Sequence, residues 1–350
     1  MSSDTTTLHL VIADLFAYAV RSSTPLPLHT LATWLPKSHI QLLDYSTGST
    51  PTLWRLFDLP LQTQLPIAPI TYLHDFGAIE GNQSYLRIDP VYLQADRDKL
   101  ILFDVFQQHP PDRADVDAIL QSLNAFYQAD GLHFCAATPE RWYLRLPDLP
   151  DLETTPLLDV IGRDIQAFMP RGADKRRWCA LMNEIQMLLH AHPSNQRRSE
   201  QRLPPLNSLW FWGLGHLPTP PTVRWQQVWS DDPLARGLAQ LSNVPHQAMP
   251  NNAQTWLQQL SQAGEYLLTV SPTQGTAWET WLHQLDTIWF EPLYKALKTG
   301  QLQQIYLYPC DGRVFSITQR QARQWWRWRK PWQTYAKSHF AQLPVSRLDL

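Results

Sequence analysis

Charge is scarce in this 350-residue chain. Only 17% of the side chains are Asp, Glu, Lys or Arg, and 29 basic against 31 acidic groups leave a net charge of −2. A whole-molecule field strong enough to hold nucleic acid or an anionic membrane is therefore absent. Cysteine is scarcer: Cys135, Cys179 and Cys310 are an odd, sparse set that cannot form a disulfide framework and suits a reducing cytosol. The 13 glycines follow no G-x-y period, which excludes collagen. No apolar run approaches the ~20 residues needed to span a bilayer. The best candidate, Leu8–Val20, is broken by His9 and Asp14. It follows acidic Asp4 where a signal peptide carries Lys or Arg, so a cytoplasmic protein with no membrane partner is expected. No Walker loop, GxGxxG, GxSxG, HExxH or CxxC pair occurs, which leaves several familiar chemistries without support.

Apolar residues, by contrast, make up 44% of the chain, enough for a sizeable core, and 16 of the residues are Trp. At ~150 residues per domain, the length fits one large domain or two ordinary ones. Leu8-His-Leu-Val-Ile-Ala13 reads as a strand buried on both faces, as in a parallel sheet. From Tyr85 the texture changes. Tyr85–Asp89, Lys99–Phe103, Leu132–Cys135 and Trp142–Leu146 read as strands, with a helix bearing Val116, Ile119, Leu120, Leu123 and Phe126 on one stripe between them. This ββαββ unit, followed by a linker over Pro147–Pro156, predicts an inserted α+β domain over 84–165 in a core of 1–83 and 166–350.

The clearest helix runs from about Asp174 to His190, and Ser208–Trp212 looks like another buried strand. Tyr266–Val270, a helix over about Ala277–Thr299, and Gln304–Tyr308 form a strand-helix-strand unit, which argues for a mainly parallel sheet. The fold class expected is therefore α/β.

Several residues stand out as candidates. Asp14 and Asp311 each follow an apolar strand of that sheet, where open α/β sheets place ligands. Two carboxylates there can hold a divalent cation or act as acid and base; the alternative is that each caps a helix or turn. Gly213-Leu-Gly215 is where a backbone can approach a phosphate or another chain closely. In the tail, Arg320, Arg323, Arg327, Arg329 and Lys330 interleave with Trp325, Trp326 and Trp328, and Trp332 follows. Basic residues among stacking aromatics suit single-stranded nucleic acid. The reading preferred here is a C-terminal helix with its Trp residues docked and its Arg residues in water, so nucleic acid is not the expected partner.

Three stretches together carry a resemblance: Leu86–Asp96, Asn183–Pro193 with Asn195 and Arg198, and Asn207–Gly215. Their order and spacing resemble the bacterial RpfE-type regulatory protein family, whose members are labelled phosphoglycerate mutase-like. That family is distantly similar to the archaeal-type cofactor-independent phosphoglycerate mutases of the alkaline phosphatase superfamily. The resemblance implies an alkaline-phosphatase-like core with a smaller inserted domain, and ligand contacts at Asn195, Arg198, Asn207, Gly213 and Gly215. It also implies two metal ions, Mn or Zn, and a Ser nucleophile. Asp14 matches the first metal Asp and Asp311 the Asp of a late Asp-His pair, but Gly312 stands in place of that His. The segment Ser271–Ala277, where further ligands are implied, contains neither His nor Asp, and Trp212 stands where the enzymes have Arg. Thr71 lies in the region of the nucleophile. Two metals need about six to eight protein ligands between them. The expected function is thus a non-catalytic regulatory or binding module without a cofactor, its partner a protein or a small phosphorylated ligand. The alternative is a metal-dependent phosphoryl-transfer enzyme with an altered site.

Overall fold

Leu8, Leu10 and Ile12 alternate with His9 and Val11, and all five are buried, so the first strand is covered on both faces. A computed structural model describes residues 5–17, 26–44, 47–79, 81–106, 109–272 and 276–340. The end of the apolar stretch Leu8–Val20 and the middle of Ser271–Ala277 lie outside the described residues. The chain divides into two compact units, residues 1–61 with 220–349, and residues 62–219.

In chain order, β1 (Thr6–Val11) and β2 (His39–Leu42) open the first unit. The second unit holds β3 (Ser84–Asp96), β4 (Lys99–Phe103), β5 (His133–Thr138), β6 (Arg141–Leu146) and β7 (Ser208–Gly215). The chain returns to the first with β8 (Trp225–Trp229), β9 (His246–Gln247), β10 (Gly264–Thr269), β11 (Gln304–Tyr308) and β12 (Arg313–Thr318).

The first unit's sheet has the order β2-β12-β11-β1-β10-β8-β9. β11, β1, β10, β8 and β9 run parallel, while β12 and β2 add an antiparallel margin. The expected strand-helix-strand unit is present: β10 and β11 flank β1 on either side and register with it, Leu8 opposite both Tyr266 and Ile305. The connecting helix has three parts, Trp278–Gln284, a π-helical turn Leu285–Phe290, and Glu291–Thr299. The wide turn carries buried Asp286, which accepts hydrogen bonds from the backbone N–H groups of Thr30 and Leu31 at 3.1 and 3.0 Å. It thereby caps the helix His29–Trp34, whose own N-cap residue, Leu28, offers no acceptor. Burial holds the Asp286 carboxyl above its ordinary pKa.

The second unit packs the order β4-β3-β6-β5, with β7 also on β3, against the helices Arg113–Tyr127 and Lys175–His190. Its core gathers Val116, Ile119, Leu123, Trp178, Ile185 and Trp210. The expected boundaries 84–165 are too narrow. β7 runs antiparallel beside β3, Asp89 opposite Trp210, and therefore belongs to this unit rather than to the parallel sheet. An apolar run such as Leu209-Trp-Phe-Trp212 looks the same in either kind of buried sheet, so composition does not choose its partner.

The tail also differs from expectation. Trp325, Trp326 and Trp328 are 86%, 58% and 86% exposed, and no helix covers 324–331. Trp326, one residue from Trp325 and two from Trp328, would not share a helix face with either, and Pro331 blocks continuation. Only Trp332 docks, its indole N–H donating to the Leu26 carbonyl at 2.8 Å.

Candidate functional site

Because β1, β8, β10 and β11 are parallel, the residues that follow them share one edge of the sheet. Asp14 follows β1, Ser230 to Asp232 follow β8, Val270 follows β10, and Cys310 with Asp311 follows β11. The expected convergence of Asp14 and Asp311 on one carboxyl edge is thus the observed topology. Both Asp14 and Cys310 adopt left-handed backbone conformations, with φ of 57° and 61°. Non-glycine residues in that region are uncommon and mark a tightly determined turn.

The buried Cys310 thiol reports what surrounds it. Burial first, then the charges of Asp14, Asp311 and Asp232, push its pKa up to about 12, against a lowering contact with Thr52. It is a protonated thiol and a poor nucleophile. Three carboxylates thus lie near enough for their charges to act on the thiol, and each is held differently. Asp14 is exposed at the end of β1. Asp232 is the N-cap of the helix Pro233–Leu241, accepting from the Leu234 N–H at 2.7 Å. Asp311, 7% exposed, is held by the guanidinium of Arg313, itself 4% exposed. The Arg313 Nε lies 3.1 Å from Oδ2, and the Arg313 N–H donates to Oδ1 at 3.2 Å. The same guanidinium donates to the Tyr335 carbonyl at 2.8 Å and lies over the rings of Phe16 and Phe315 at 5.3 and 5.2 Å.

This donor set does not fit a pair of divalent ions. A metal on Asp311 would have to displace a guanidinium already in contact with it, and Asp232 spends an oxygen on its helix. Among the described residues, no group of three or more His, Cys, Asp or Glu side chains is placed to hold a metal ion.

The other candidates lie in the second unit, each with partners from its own chain. Thr71 is buried in the helix Ile67–Phe76, its hydroxyl donating back to the Ile67 and Ala68 carbonyls at 3.1 and 3.2 Å. Asn195 donates to the Leu189 and Leu206 carbonyls at 2.6 and 2.7 Å and accepts from the Leu206 N–H at 2.8 Å. Arg198 donates to the Pro204 and His109 carbonyls at 2.8 and 2.9 Å. Asn207 pairs with both backbone groups of Leu93 at 2.8 Å, imitating a strand neighbour. At Gly213 (φ 68°) a Cβ would lie 3.1 Å from that of Ile67, and at Gly215 one would lie 2.5 Å from that of Pro66. These glycines let the start of the helix Ile67–Phe76 press against β7.

A buried charged network was not foreseen. Arg87 grips Asp89 through Nε at 3.1 Å and through Nη2 at 2.7 Å to each carboxylate oxygen. Asp89 also accepts from the Trp212 indole at 2.7 Å and from the Trp142 N–H at 3.2 Å. Beside it, Asp75 takes Arg141 at 2.6 and 2.7 Å and the Tyr143 hydroxyl at 2.5 Å. Burial raises the Tyr143 phenol well above its ordinary pKa, so it stays a donor. The sequence signal was the Arg87-Ile-Asp89 spacing, which puts both charges on one strand face.

No helix among the described residues is long and apolar enough to cross a membrane. No family model matches the chain. Over part of its length it is similar to 2,3-bisphosphoglycerate-independent phosphoglycerate mutases. That of Methanosarcina mazei is 37% identical over 68 residues, which are 19% of this chain and 17% of that protein. That of Methanosarcina barkeri is 31% identical over 102 residues, 29% of this chain and 26% of that protein. The chain thus spans about a sixth to a quarter of the length of these curated relatives. The solved structure of the PH0037 protein from Pyrococcus horikoshii aligns over 99% of this chain and 98% of that chain, with a TM-score of 0.54 and 12% identity, and this likeness shows the fold. The chain is phosphoglycerate mutase-like in part of its sequence, on an alkaline-phosphatase-like α/β architecture with a large, mostly parallel sheet.

Proposed function

We propose that this chain is a non-catalytic, RpfE-type relative of the cofactor-independent phosphoglycerate mutases, acting as a regulatory or binding module. One observation carries the proposal: Arg313 occupies the Asp311 carboxylate at the sheet edge where metal-dependent chemistry would be assembled. Phosphoryl transfer needs positive charge poised where the phosphoryl oxygens develop negative charge. A guanidinium committed to Asp311, to a backbone carbonyl and to two rings is spent on the protein itself. Removing a single electrostatic partner typically costs ~10²–10³ in rate. Here the His expected after Asp311 is also replaced by Gly312, and Trp212 binds Asp89 where an Arg is implied. The partner of such a module is a protein or a small phosphorylated ligand.

The test is a coupled assay of the purified full chain with 3-phosphoglycerate and added Mn²⁺ or Zn²⁺. The expected result is no turnover above the protein-free background. Turnover in the ordinary enzyme range, near ~1 s⁻¹ or above, that disappears in Asp14→Ala would overturn the proposal.

A further inference from the structure

From Gly312 to Leu348 the chain contains no Asp or Glu, while Arg320, Arg323, Arg327, Arg329 and Lys330 place five positive charges around three Trp residues. All five cations are exposed, and none has a carboxylate partner among the described residues. A chain of net −2 thus concentrates unpaired positive charge in one surface segment.

The segment is pinned rather than loose. Arg323 donates through Nε to the Lys298 carbonyl at 2.9 Å, and Arg327 donates to the Pro36 carbonyl at 3.0 Å. The Lys330 N–H donates to the Ala32 carbonyl at 3.3 Å, and Trp332 anchors the far end in the core. Between these anchors Trp325 and Trp328 stand 86% exposed, and Trp325 and Trp326 lie edge to face, 6.1 Å apart at 87°. Three large apolar rings presented to water on a held turn are a surface awaiting a partner, not a fraying end.

We infer that the turn 324–331 is a docking surface for an anionic phospholipid bilayer. The indole is the side chain that prefers the headgroup region of a membrane, with an apolar body and one N–H donor. Lys and Arg beside it are drawn to the negative surface potential of acidic lipids. Stable attachment without a spanning helix takes two such signals, and the turn supplies both. Single-stranded nucleic acid is the other polyanion that suits basic and aromatic residues. It is bound where rings form stacking platforms along a groove that tracks the backbone. Here the rings protrude, and two of the five cations are committed to backbone carbonyls as anchors. That geometry suits a flat, insertable surface better than a strand that must be followed.

The test is co-sedimentation of the full chain with vesicles of phosphatidylcholine alone and of phosphatidylcholine mixed with phosphatidylglycerol. The expected result is binding to the mixed vesicles only, weakened by added salt. Replacing the three rings together (Trp325→Ser, Trp326→Ser, Trp328→Ser) should lower partitioning at least about ten-fold. The unanchored pair Arg329→Gln and Lys330→Gln should weaken binding and flatten its salt dependence. Because the three indoles are exposed, thermal unfolding of the triple variant should match that of the parent, so lost binding is not lost folding. Absence of binding to the mixed vesicles, or equal binding by the triple variant, overturns the inference. So does salt-sensitive retention on single-stranded oligonucleotide, lost in the triple variant, by a protein that ignores vesicles.

Discussion

Arg87-Ile-Asp89 in the second unit and Asp311-Gly-Arg313 in the first build the same device. In each, a carboxylate and a guanidinium two residues apart meet, and aromatic rings cover the guanidinium. Trp212 and Tyr143 lie 4.9 and 5.3 Å from that of Arg87, and Phe16 and Phe315 lie 5.3 and 5.2 Å from that of Arg313. The two differ in what else the carboxylate holds. Asp89 also receives N–H groups from β6 and β7, at Trp142 and Trp212, and so binds three strands together. Among the described residues, Asp311 receives hydrogen bonds from Arg313 alone, and its charge, with those of Asp14 and Asp232, acts on Cys310. One pair is a strut inside a sheet. The other neutralises one carboxylate of an acidic sheet edge.

Removing the carboxylate should separate the two pairs by size. Asp89→Ala leaves a buried Arg87 and two buried N–H donors without partners, and should cost about 3–5 kcal/mol. Urea unfolding checks this; a loss below about 1 kcal/mol would mean that Asp89 is not the strut described. Asp311→Ala should cost less, about 2–3 kcal/mol, because Arg313 keeps the Tyr335 carbonyl. An equal loss for both would erase the comparison. Trp212→Phe keeps a ring over Arg87 while removing one donor to Asp89, making that pair more like the other, and should cost about 1.5 kcal/mol by the same measurement.

The smallest effect concerns a third charged cluster, which has no permanent cation at its centre. His9 is buried in β1, stacked on Tyr306 at 4.6 Å and edge-on to Trp225 at 4.8 Å. Its Nε2 lies 3.1 Å from Glu265, which also takes Arg224 at 2.8 Å, and its Nδ1 lies 3.0 Å from the Tyr308 hydroxyl. A carboxylate can only accept, so Nε2 carries the proton and Nδ1 accepts from Tyr308. Burial, with help from Arg224, lowers the pKa of His9 below its ordinary 6.5 against the raising contacts of Glu265. The unfolded chain therefore takes up a proton that the folded one resists, and stability falls as pH drops below 6.5. Glu265, held ionised chiefly by His9, adds a loss of the same sign below its own ordinary 4.5. Melting followed from neutral pH to about pH 5.5 should show the decline, and His9→Gln should flatten it. An unchanged slope in His9→Gln would exclude the histidine as its source.

Much of this architecture was legible because its strands and helices are strongly patterned. The buried run after Thr7, the ββαββ order, the helix ending at His190 and the pair of strands around 266–270 and 304–308 all correspond to observed elements. So does the carboxyl-edge position of Asp14 and Asp311. The partner of β7 was not legible, since burial on both faces erases the alternation that distinguishes one sheet from another. β2 was not legible because its alternation, Ile40 and Leu42 among His39 and Gln41, covers only four residues, too short a run to stand out from the flanking loops. At the candidate site, the resemblance implied ligand contact for Asn195, Arg198 and Asn207, whereas the structure gives each backbone partners that no spacing rule reveals. The Asp311–Arg313 pair was readable in principle as opposite charges two apart. Gly312 between them hides whether the strand has begun, so the spacing alone does not place the two side chains on one face.

The most direct test of the proposal that this edge holds no metal is Mn²⁺ binding by the full chain, followed by the loss of the free ion's paramagnetic resonance signal. The predicted result is no stoichiometric site in the parent protein, with the Asp311–Arg313 pair left intact. A stoichiometric site that vanishes in both Asp14→Ala and Asp311→Ala would contradict it, since Arg313 would then be a partner that a metal readily displaces.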